Sequence, residues 1–183
     1  MMSAGADGGG PALSTPERVV FSAGQIDRRV RELAAEISAA YMEVDRLLVL
    51  GLLKGSFIFM ADLVRAITLS HQVDFLIASS YGAGTVSSGD VRLHYDPVTS
   101  LDGRAVLVVE DIVDSGTTLG RVLPRLQARD PSSLEVCALL HKRLDPADPA
   151  PRWVGFDAPN EFLVGYGLDH AEDFRHLPYI ASL

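Results

Sequence analysis

Apolar residues along the chain form short continuous runs that alternate with longer stripes at helical spacing. Strands buried on both faces, as in a parallel sheet, are predicted for the runs at 46–53, 73–79, 105–109 and 134–140. The first helical stripe begins with capping-box spacing between Ser22 and Gln25. The stripes consist of Ile26, Val30, Leu33, Ala34, Ile37 and Tyr41, of the apolar segment 57–67, and of Leu119, Val122, Leu123 and Leu126. This alternation predicts an α/β fold.

The densest cluster of polar side chains lies between the third apolar run and the stripe that follows it. Glu110 and Asp111 end the predicted strand, and the turn 114–118 (Asp-Ser-Gly-Thr-Thr) leads into the helix. Such a turn offers backbone N–H groups to a phosphate. Three carboxylates would repel a simple anion, so they favour a phosphorylated sugar whose diol and Mg²⁺ they can hold. The alternative is an ordinary helix start capped by Ser115 or Asp114.

Lysine is rare in this chain, since two lysines stand among sixteen basic residues that are otherwise arginine. Lys54 follows the first apolar run and forms, with Gly55, a second turn from a strand into a helix, where an ammonium can bind a diphosphate. Lys142 follows the fourth run, so it should point into the same crevice as Asp114 and can donate to a carbonyl oxygen. The alternatives are a surface lysine at a helix start and an exposed basic strand end.

A polar, glycine-rich segment at 80–89 follows the second run, and 90–95 then alternates like a returning strand. Ser80 and Tyr81 open this segment. Its three glycines and single tyrosine predict a mobile lid beside the site, and the alternative is a plain surface hairpin.

Composition limits the classes of protein to which this chain can belong. A chain of 183 residues with 48% hydrophobic residues suits one domain at 17–183, preceded by a disordered tail at 1–16 without the pattern of a secretory signal. The net charge of −8 argues against nucleic acid as a partner, and no apolar run approaches the roughly 18 residues of a membrane span. The single Cys137 should be buried; it excludes an internal disulfide and fits a reducing, cytoplasmic compartment.

The segment 108–118, Val-Val-Glu-Asp-Ile-Val-Asp-Ser-Gly-Thr-Thr, resembles the phosphoribosyl-pyrophosphate (PRPP) signature of type I phosphoribosyltransferases. The resemblance extends over most of the chain outside the tail, and further motifs in family order narrow it to the hypoxanthine-guanine branch. These motifs are Leu53-Lys54-Gly55-Ser56, the Ser80-Tyr81 pair, Lys142, and Leu168-Asp169 followed by Arg175.

The resemblance implies a fold and a reaction. The fold is the type I phosphoribosyltransferase fold, a twisted and mainly parallel sheet flanked by helices, with a small hood subdomain made from the chain ends. The reaction is Mg²⁺-dependent transfer of the 5-phosphoribosyl group from PRPP to hypoxanthine or guanine, through an oxocarbenium-like transition state. It yields IMP or GMP and pyrophosphate, and it serves purine salvage. The order of preference among hypoxanthine, guanine and xanthine stays open.

The resemblance also implies a role for each matching residue. Asp114 is the catalytic residue, acting near purine N7 as general base or acid. The residues implied for PRPP and its phosphates are Glu110, Asp111, Asp114, Ser115, Gly116, Thr117, Thr118, Lys54, Gly55 and Arg175. The residues implied for the purine are Lys142, Phe162, Leu163 and Asp169, with Lys142 selecting a 6-oxo group over the amino group of adenine.

The resemblance also implies a set of metal ligands, a lid and an oligomeric state. Glu110, Asp111 and Asp169 are the implied Mg²⁺ ligands, and Ser80 and Tyr81 would close over PRPP. His170 stands where tyrosine is usual, and neither His170 nor His176 is expected to be a ligand. A homodimer or homotetramer is expected, because relatives are usually dimers or tetramers.

Two other classes of function compete with the enzyme. A PRPP-binding regulator without catalysis would need a nucleic-acid surface, which the net charge of −8 and the lack of an added DNA-binding segment oppose. A receiver-like domain with an acidic pocket would leave Lys142, Phe162 and Arg175 unexplained.

Overall fold

A computed structural model describes residues 16–80, 91–143 and 150–183 of the chain. Its elements in chain order are β1 (Arg18–Phe21), α1 (Ala23–Ala40), β2 (Leu47–Leu53), α2 (Phe57–Ala66), β3 (His71–Ser80), β4 (Val91–Tyr95), β5 (Ala105–Val113), α3 (Thr117–Gln127), β6 (Ser133–His141), β7 (Trp153–Asp157), β8 (Leu163–Val164) and β9 (Ile180–Ser182). The predicted strands and helices are confirmed, with most ends shifted by one or two residues. Except for Pro16, the predicted tail lies outside the described residues, so the domain boundary stays a prediction.

A six-stranded sheet in the order β4-β3-β2-β5-β6-β7 forms the main layer, and its strands are parallel except for the edge strand β4. This confirms the mainly parallel α/β sheet. The strands β2, β5 and β6 are neighbours and run in the same direction. Their carboxyl ends therefore meet at one edge of the sheet, which is where α/β sheets bind ligands.

Two apolar clusters cover opposite faces of this sheet. Consecutive residues of β5 alternate between them, so that Leu107 packs with α1 and α2 whereas Val108 packs with α3. Phe59 and Leu119 are fully or almost fully buried in these two clusters. Cys137 is buried, as predicted, and burial raises the pKa of its thiol. No helix in the described ranges combines the length and apolar character needed to cross a bilayer.

A second, antiparallel sheet in the order β1-β9-β8 forms a small hood. Its strands come from both ends of the chain, which confirms the hood implied by the resemblance. The segment 165–179 between β8 and β9 packs against the turn that joins β2 to α2. A Cβ built on Gly167 would stand 2.1 Å from Gly55 O, so a glycine is needed at this contact. The hood thereby brings its own polar residues to the carboxyl end of β2.

Candidate active site

Strand β5 carries two of the predicted acids within it. The prediction that Glu110 and Asp111 end the strand is wrong, because β5 continues to Val113. The reason is the neighbouring strand β6, which pairs with β5 as far as Val113 and His141 and so continues the ladder past the acids. Residues 110–119 then line a cleft of about 310 Å³. The acidic strand end and the turn after it therefore share one cleft.

Helix α3 begins at this cleft without a side-chain cap. Its N-cap residue is Gly116, whose φ of 64° lies in the left-handed region, and no side-chain cap hydrogen bond forms there. A cap by Ser115 or Asp114 is therefore wrong, and Ser115 Oγ instead lies 2.9 Å from Thr117 Oγ1. The first N–H groups of α3 and these hydroxyls form a site suited to an anion such as phosphate.

Glu110 and Asp111 form a buried pair of acids whose negative charges are poorly compensated by neighbouring groups. Glu110 and Asp111 are each 9% exposed. Burial raises the pKa of both carboxyls, and the charge of Asp111 raises the pKa of Glu110 further. Backbone hydrogen bonds and the charge of Arg175 act in the opposite direction on Asp111. Among the described residues, Glu110 Oε2 is buried without a hydrogen-bond partner. Such a pair suits a ligand that brings hydroxyl donors or positive charge.

Lys142 and Asp114 meet where β6 and β5 end. Lys142 Nζ donates to Asp114 Oδ2 at 3.0 Å, and Lys142 N donates to Val113 O at 3.0 Å. The Lys142 side chain is 10% exposed and the Asp114 side chain 54% exposed. The prediction that both side chains face one crevice is confirmed, and the alternative of an exposed basic strand end is wrong.

Lys54 lies at the carboxyl end of β2 and belongs to a cluster of four charged residues. Its Nζ lies 3.0 Å from Glu172 Oε1. Nη2 of Arg175 lies 3.3 Å from Glu172 Oε2 and 2.8 Å from Asp169 Oδ1, and Arg175 Nη1 donates to Gly167 O at 2.8 Å. The hydrogen bond from Lys54 is the main reason that the pKa of Glu172 is lowered, so this carboxylate is charged. Two cations therefore lie side by side at this strand end.

The turn after β2 joins the Lys54 cluster to the acid pair. The Leu53–Lys54 peptide bond is cis. A Cβ built on Gly55 would stand 1.8 Å from Asp111 Oδ2, so a larger residue here would displace the Asp111 carboxylate. Ser56 Oγ donates to Leu52 O at 2.6 Å and fixes the turn from inside. The acids of β5 and the lysine of β2 thus belong to one continuous site.

The hood carries an exposed aromatic ring. Phe162 is 53% exposed, and its ring meets the imidazole of His170 edge-on, with 5.3 Å between the ring centroids. Leu163 is buried and pairs with Ser182, whereas Leu183 N donates to Phe162 O at 3.0 Å. Because hydrogen-bonded and non-hydrogen-bonded pairs alternate along an antiparallel ladder, the peptide groups of Leu163 point away from β9. An exposed ring and the outer edge of β8 therefore lie side by side.

Some predicted residues are not brought together or lie outside the described residues. Ser80 ends β3, while Tyr81 and the rest of the predicted lid lie outside them. Glu110, Asp111 and Asp169 do not form a three-ligand group that could hold a metal ion by itself, and no such group occurs elsewhere in the described ranges. Asp169 instead pairs with Arg175.

Sequence reasoning missed Glu172. The signal for it was available, because Glu172 and Asp173 stand just before Arg175, which is predicted to bind pyrophosphate, where a negative charge is unexpected. Its contact with Lys54 depends on how the hood packs, and that packing has no local sequence pattern.

Known proteins resemble this chain in sequence over most of its length. Residues 21–171 match the family model described as phosphoribosyl transferase domain. The hypoxanthine phosphoribosyltransferase of Buchnera aphidicola is 44% identical over 168 residues, covering 91% of this chain and 95% of the relative. The protein of the same name from Escherichia coli K12 is 45% identical (90% and 94% covered), and the hypoxanthine-guanine phosphoribosyltransferase of Bacillus subtilis is 44% identical (91% and 93%).

Solved structures agree with these relatives. A hypoxanthine phosphoribosyltransferase from Staphylococcus aureus superposes with a TM-score of 0.87 at 40% identity, covering 92% of this chain and 91% of that one. A hypoxanthine-guanine phosphoribosyltransferase from Bacillus anthracis also gives 0.87 at 41% identity, covering 92% and 99%. The chain therefore belongs to the phosphoribosyltransferase family, and its relatives there are the hypoxanthine and hypoxanthine-guanine phosphoribosyltransferases. The resemblance and the class of enzyme predicted from the sequence are confirmed.

Proposed function

We propose that this enzyme transfers the 5-phosphoribosyl group of PRPP to N9 of hypoxanthine or guanine, giving IMP or GMP and pyrophosphate in purine salvage. The observation that carries the proposal is the pair of Lys142 and Asp114, 3.0 Å apart at adjoining strand ends. It offers an ammonium donor and a carboxylate acceptor a short distance from the phosphate-binding turn. The names of the relatives support hypoxanthine and guanine as the bases.

Recognition of the base depends on Lys142 and the hood. The ammonium of Lys142, 10% exposed, donates a hydrogen bond to the 6-oxo group. Adenine would present an amino donor to it, and leaving such a group unpaired can reduce kcat/KM by roughly 10⁴-fold. The open ring of Phe162 stacks on the purine, and the peptide groups of Leu163 and Asp169 read its edge.

Asp114 moves the proton of the base. In the proposed complex the Asp114 carboxylate, whose side chain is 54% exposed and pairs with Lys142, faces N7 of the purine. It accepts or returns the N7 proton as N9 attacks the anomeric carbon of the ribose. Charge accumulates on the ribosyl oxocarbenium as pyrophosphate departs, and the carboxylates of the cleft stabilise it.

PRPP occupies the cleft at 110–119. Its 5′-phosphate accepts from the N–H groups and hydroxyls at 115–118, and its ribose hydroxyls donate to Glu110 and Asp111. Lys54, the Gly55 turn and Arg175 bind the pyrophosphoryl group. Ser80 and Tyr81 close over the bound substrate and exclude water from the cationic sugar.

Mg²⁺ fits the residues present. Glu110 Oε2 is a buried, unpartnered acceptor among the described residues, and burial raises the pKa of both acids, so a cation would compensate them. Mg²⁺ commonly binds through one or two carboxylates, water and substrate phosphates, so it does not need a complete ligand set from the protein. Glu110, Asp111 and Asp169 are the residues that would hold it. When bound, Mg²⁺ neutralises the charge of the leaving pyrophosphate.

A product assay tests this function. The protein is mixed with PRPP and Mg²⁺ and offered hypoxanthine, guanine, xanthine, adenine and uracil separately, and nucleotide and pyrophosphate are measured. Turnover with the 6-oxopurines and none with adenine is expected. Absence of turnover with every base, in a protein that still binds PRPP, would contradict the enzyme and favour a regulator.

The proposal also includes the oligomeric state of the protein and its compartment. We expect a homodimer or homotetramer in the cytoplasm. The hypoxanthine phosphoribosyltransferase of Trypanosoma cruzi, 36% identical, has a C-terminal region with a role in its oligomeric state and activity. In this chain residues Ile180–Ser182 form β9 of the hood. Light scattering coupled to size exclusion distinguishes the expected assemblies from a monomer.

A further inference from the structure

Glu172 bridges the two basic side chains that bind pyrophosphate in the proposed reaction. One of its carboxylate oxygens lies 3.0 Å from Lys54 Nζ, and the other lies 3.3 Å from Arg175 Nη2. A phosphoryl group would use its oxygens in the same way, because ammonium and guanidinium donors both favour anionic oxygen. Glu172 therefore holds the position of a ligand, although the reaction itself assigns it no role.

The backbone that presents Glu172 is unusual. Ala171 and Glu172 have φ values of 52° and 71°, a region that residues with side chains rarely adopt. Glu172 N donates to Asp169 Oδ2 at 2.9 Å, and a β-bridge joins His170 to Asp173 across the turn. Strained backbone of this kind persists where the surrounding structure enforces it, and it is concentrated at functional sites. The turn therefore holds Glu172 towards the cations.

The contacts of Glu172 can break without dismantling the site. The side chains of Lys54 and Glu172 are each 65% exposed, and ion pairs that are open to water are weak and screened by salt. Arg175 is 18% exposed and has Asp169 and Gly167 O as further partners. Its guanidinium therefore stays in place when Glu172 moves away, whereas Lys54 becomes available to a ligand.

We propose that Glu172 is an internal counter-anion that occupies the pyrophosphate subsite and competes with the pyrophosphoryl group for Lys54 and Arg175. PRPP displaces the carboxylate on binding, and the carboxylate returns as pyrophosphate leaves. Glu172 thus lowers the affinity for pyrophosphate and speeds its release, while the cations remain ordered in the free enzyme. This inference rests on the proposed function, since it takes pyrophosphate as the product.

Calorimetric titration of inorganic pyrophosphate in the presence of Mg²⁺ tests the competition. Glu172→Gln keeps the shape of the side chain and removes its charge. Its Kd for pyrophosphate should fall by about three- to tenfold, the range expected when exposed ion pairs no longer compete. The KM for PRPP should fall in parallel, and the KM for the base should not change. Glu172→Ala provides a second variant with the same expected direction.

The matched control is Glu32→Gln on α1. Glu32 also pairs with an arginine, Arg29 at 3.1 Å, and its side chain is 52% exposed. This variant should bind pyrophosphate as the unchanged protein does. If Glu172 only positioned Lys54 and Arg175, its replacement would weaken the binding of pyrophosphate. Equal or weaker binding by Glu172→Gln therefore overturns the inference. Absence of pyrophosphate binding by the unchanged protein would instead contradict the proposed function, and the inference with it.

Discussion

The two lysines of this chain occupy equivalent places in the fold and differ in their access to water. Lys54 directly follows β2 and Lys142 directly follows β6, and each ammonium lies 3.0 Å from one carboxylate oxygen. Yet the Lys54 side chain is 65% exposed, whereas the Lys142 side chain is 10% exposed. The same residue type, in the same kind of position and with the same kind of partner, is therefore placed in two different environments.

In the proposed function, this difference in exposure matches the ligand of each lysine, pyrophosphate for Lys54 and the purine base for Lys142. Pyrophosphate is highly charged, arrives hydrated and must leave after every turnover, so an exposed ammonium with a weak internal partner suits it. A purine base is neutral and is selected by hydrogen bonds, which discriminate most strongly where water is excluded. Exposure at one strand end favours exchange, and burial at the other favours selectivity.

The acids of β5 lie between the two lysines, because β5 separates β2 from β6 in the sheet. Asp114 is paired with Lys142, and Asp111 lies next to Gly55, while Glu110 Oε2 has no hydrogen-bond partner among the described residues. The ribose of PRPP would bind between the base at one lysine and pyrophosphate at the other. Three substitutions test whether the two ends work independently in this way, and a fourth tests the acid between them.

The largest effect is expected at the base end. Asp114→Asn keeps the shape of the side chain and an acceptor for Lys142, but it removes the proton acceptor for N7. We expect kcat to fall by about 10²–10⁴-fold, the usual contribution of a general acid or base, with little change in PRPP affinity. Steady-state kinetics and PRPP titration measure the two quantities. Near-normal kcat would remove Asp114 from catalysis.

Lys142→Ala should have the next largest effect. Loss of a buried, charged donor to the 6-oxo group should raise the KM for hypoxanthine by about 10- to 100-fold. The KM for PRPP should stay the same, and discrimination against adenine should weaken. The measurement is the ratio of kcat/KM for hypoxanthine and adenine. If PRPP affinity fell instead, Lys142 would belong to the phosphate site and the contrast between the two lysines would disappear.

Lys54→Ala should have a smaller effect on a different ligand. Because the ammonium is exposed, we expect the affinity for pyrophosphate to fall by about tenfold at low salt and by less at high salt. The KM for the base should not change. The control is Arg31→Ala, since Arg31 is also an exposed cation with a carboxylate partner, Asp27. A base-dependent effect of Lys54→Ala would show that the two strand ends are coupled.

The sequence predicted the base end of this site better than the pyrophosphate end. Lys142 and Asp114 follow buried apolar runs, and parallel strands bring such ends together, so their contact could be expected from periodicity alone. The contact of Lys54 with Glu172 requires the hood to fold back onto β2, and the hood itself was expected from the family resemblance rather than from an apolar pattern.

The ends of individual strands and helices are also difficult to predict from the local sequence. The sequence pattern predicts that the strand ends at the carboxylates 110 and 111, because charged residues rarely continue a buried run. They lie within β5 because β6 continues to pair with it, which is information about a neighbour 28 residues further on. Likewise, Ser115 Oγ lies next to Thr117 Oγ1 instead of capping α3, and the N-cap is Gly116 with a left-handed φ.

The smallest effect is expected for Glu110→Gln, and it concerns stability. Because burial raises the pKa of Glu110 above its ordinary value of 4.5, the folded state holds this proton more tightly than the unfolded chain does. The carboxyl therefore contributes stability at low pH that is lost as pH rises from 4.5 towards the raised pKa. Glutamine keeps a neutral group at that position, so the Tm at about pH 8 should rise by about 2–4 °C, whereas the difference should shrink near pH 5. PRPP affinity should fall, since the carboxylate is lost. A Tm that falls equally at both pH values would show that the charge of Glu110 is compensated in the folded protein. Glu110 and Asp111 would then not destabilise the ligand-free enzyme.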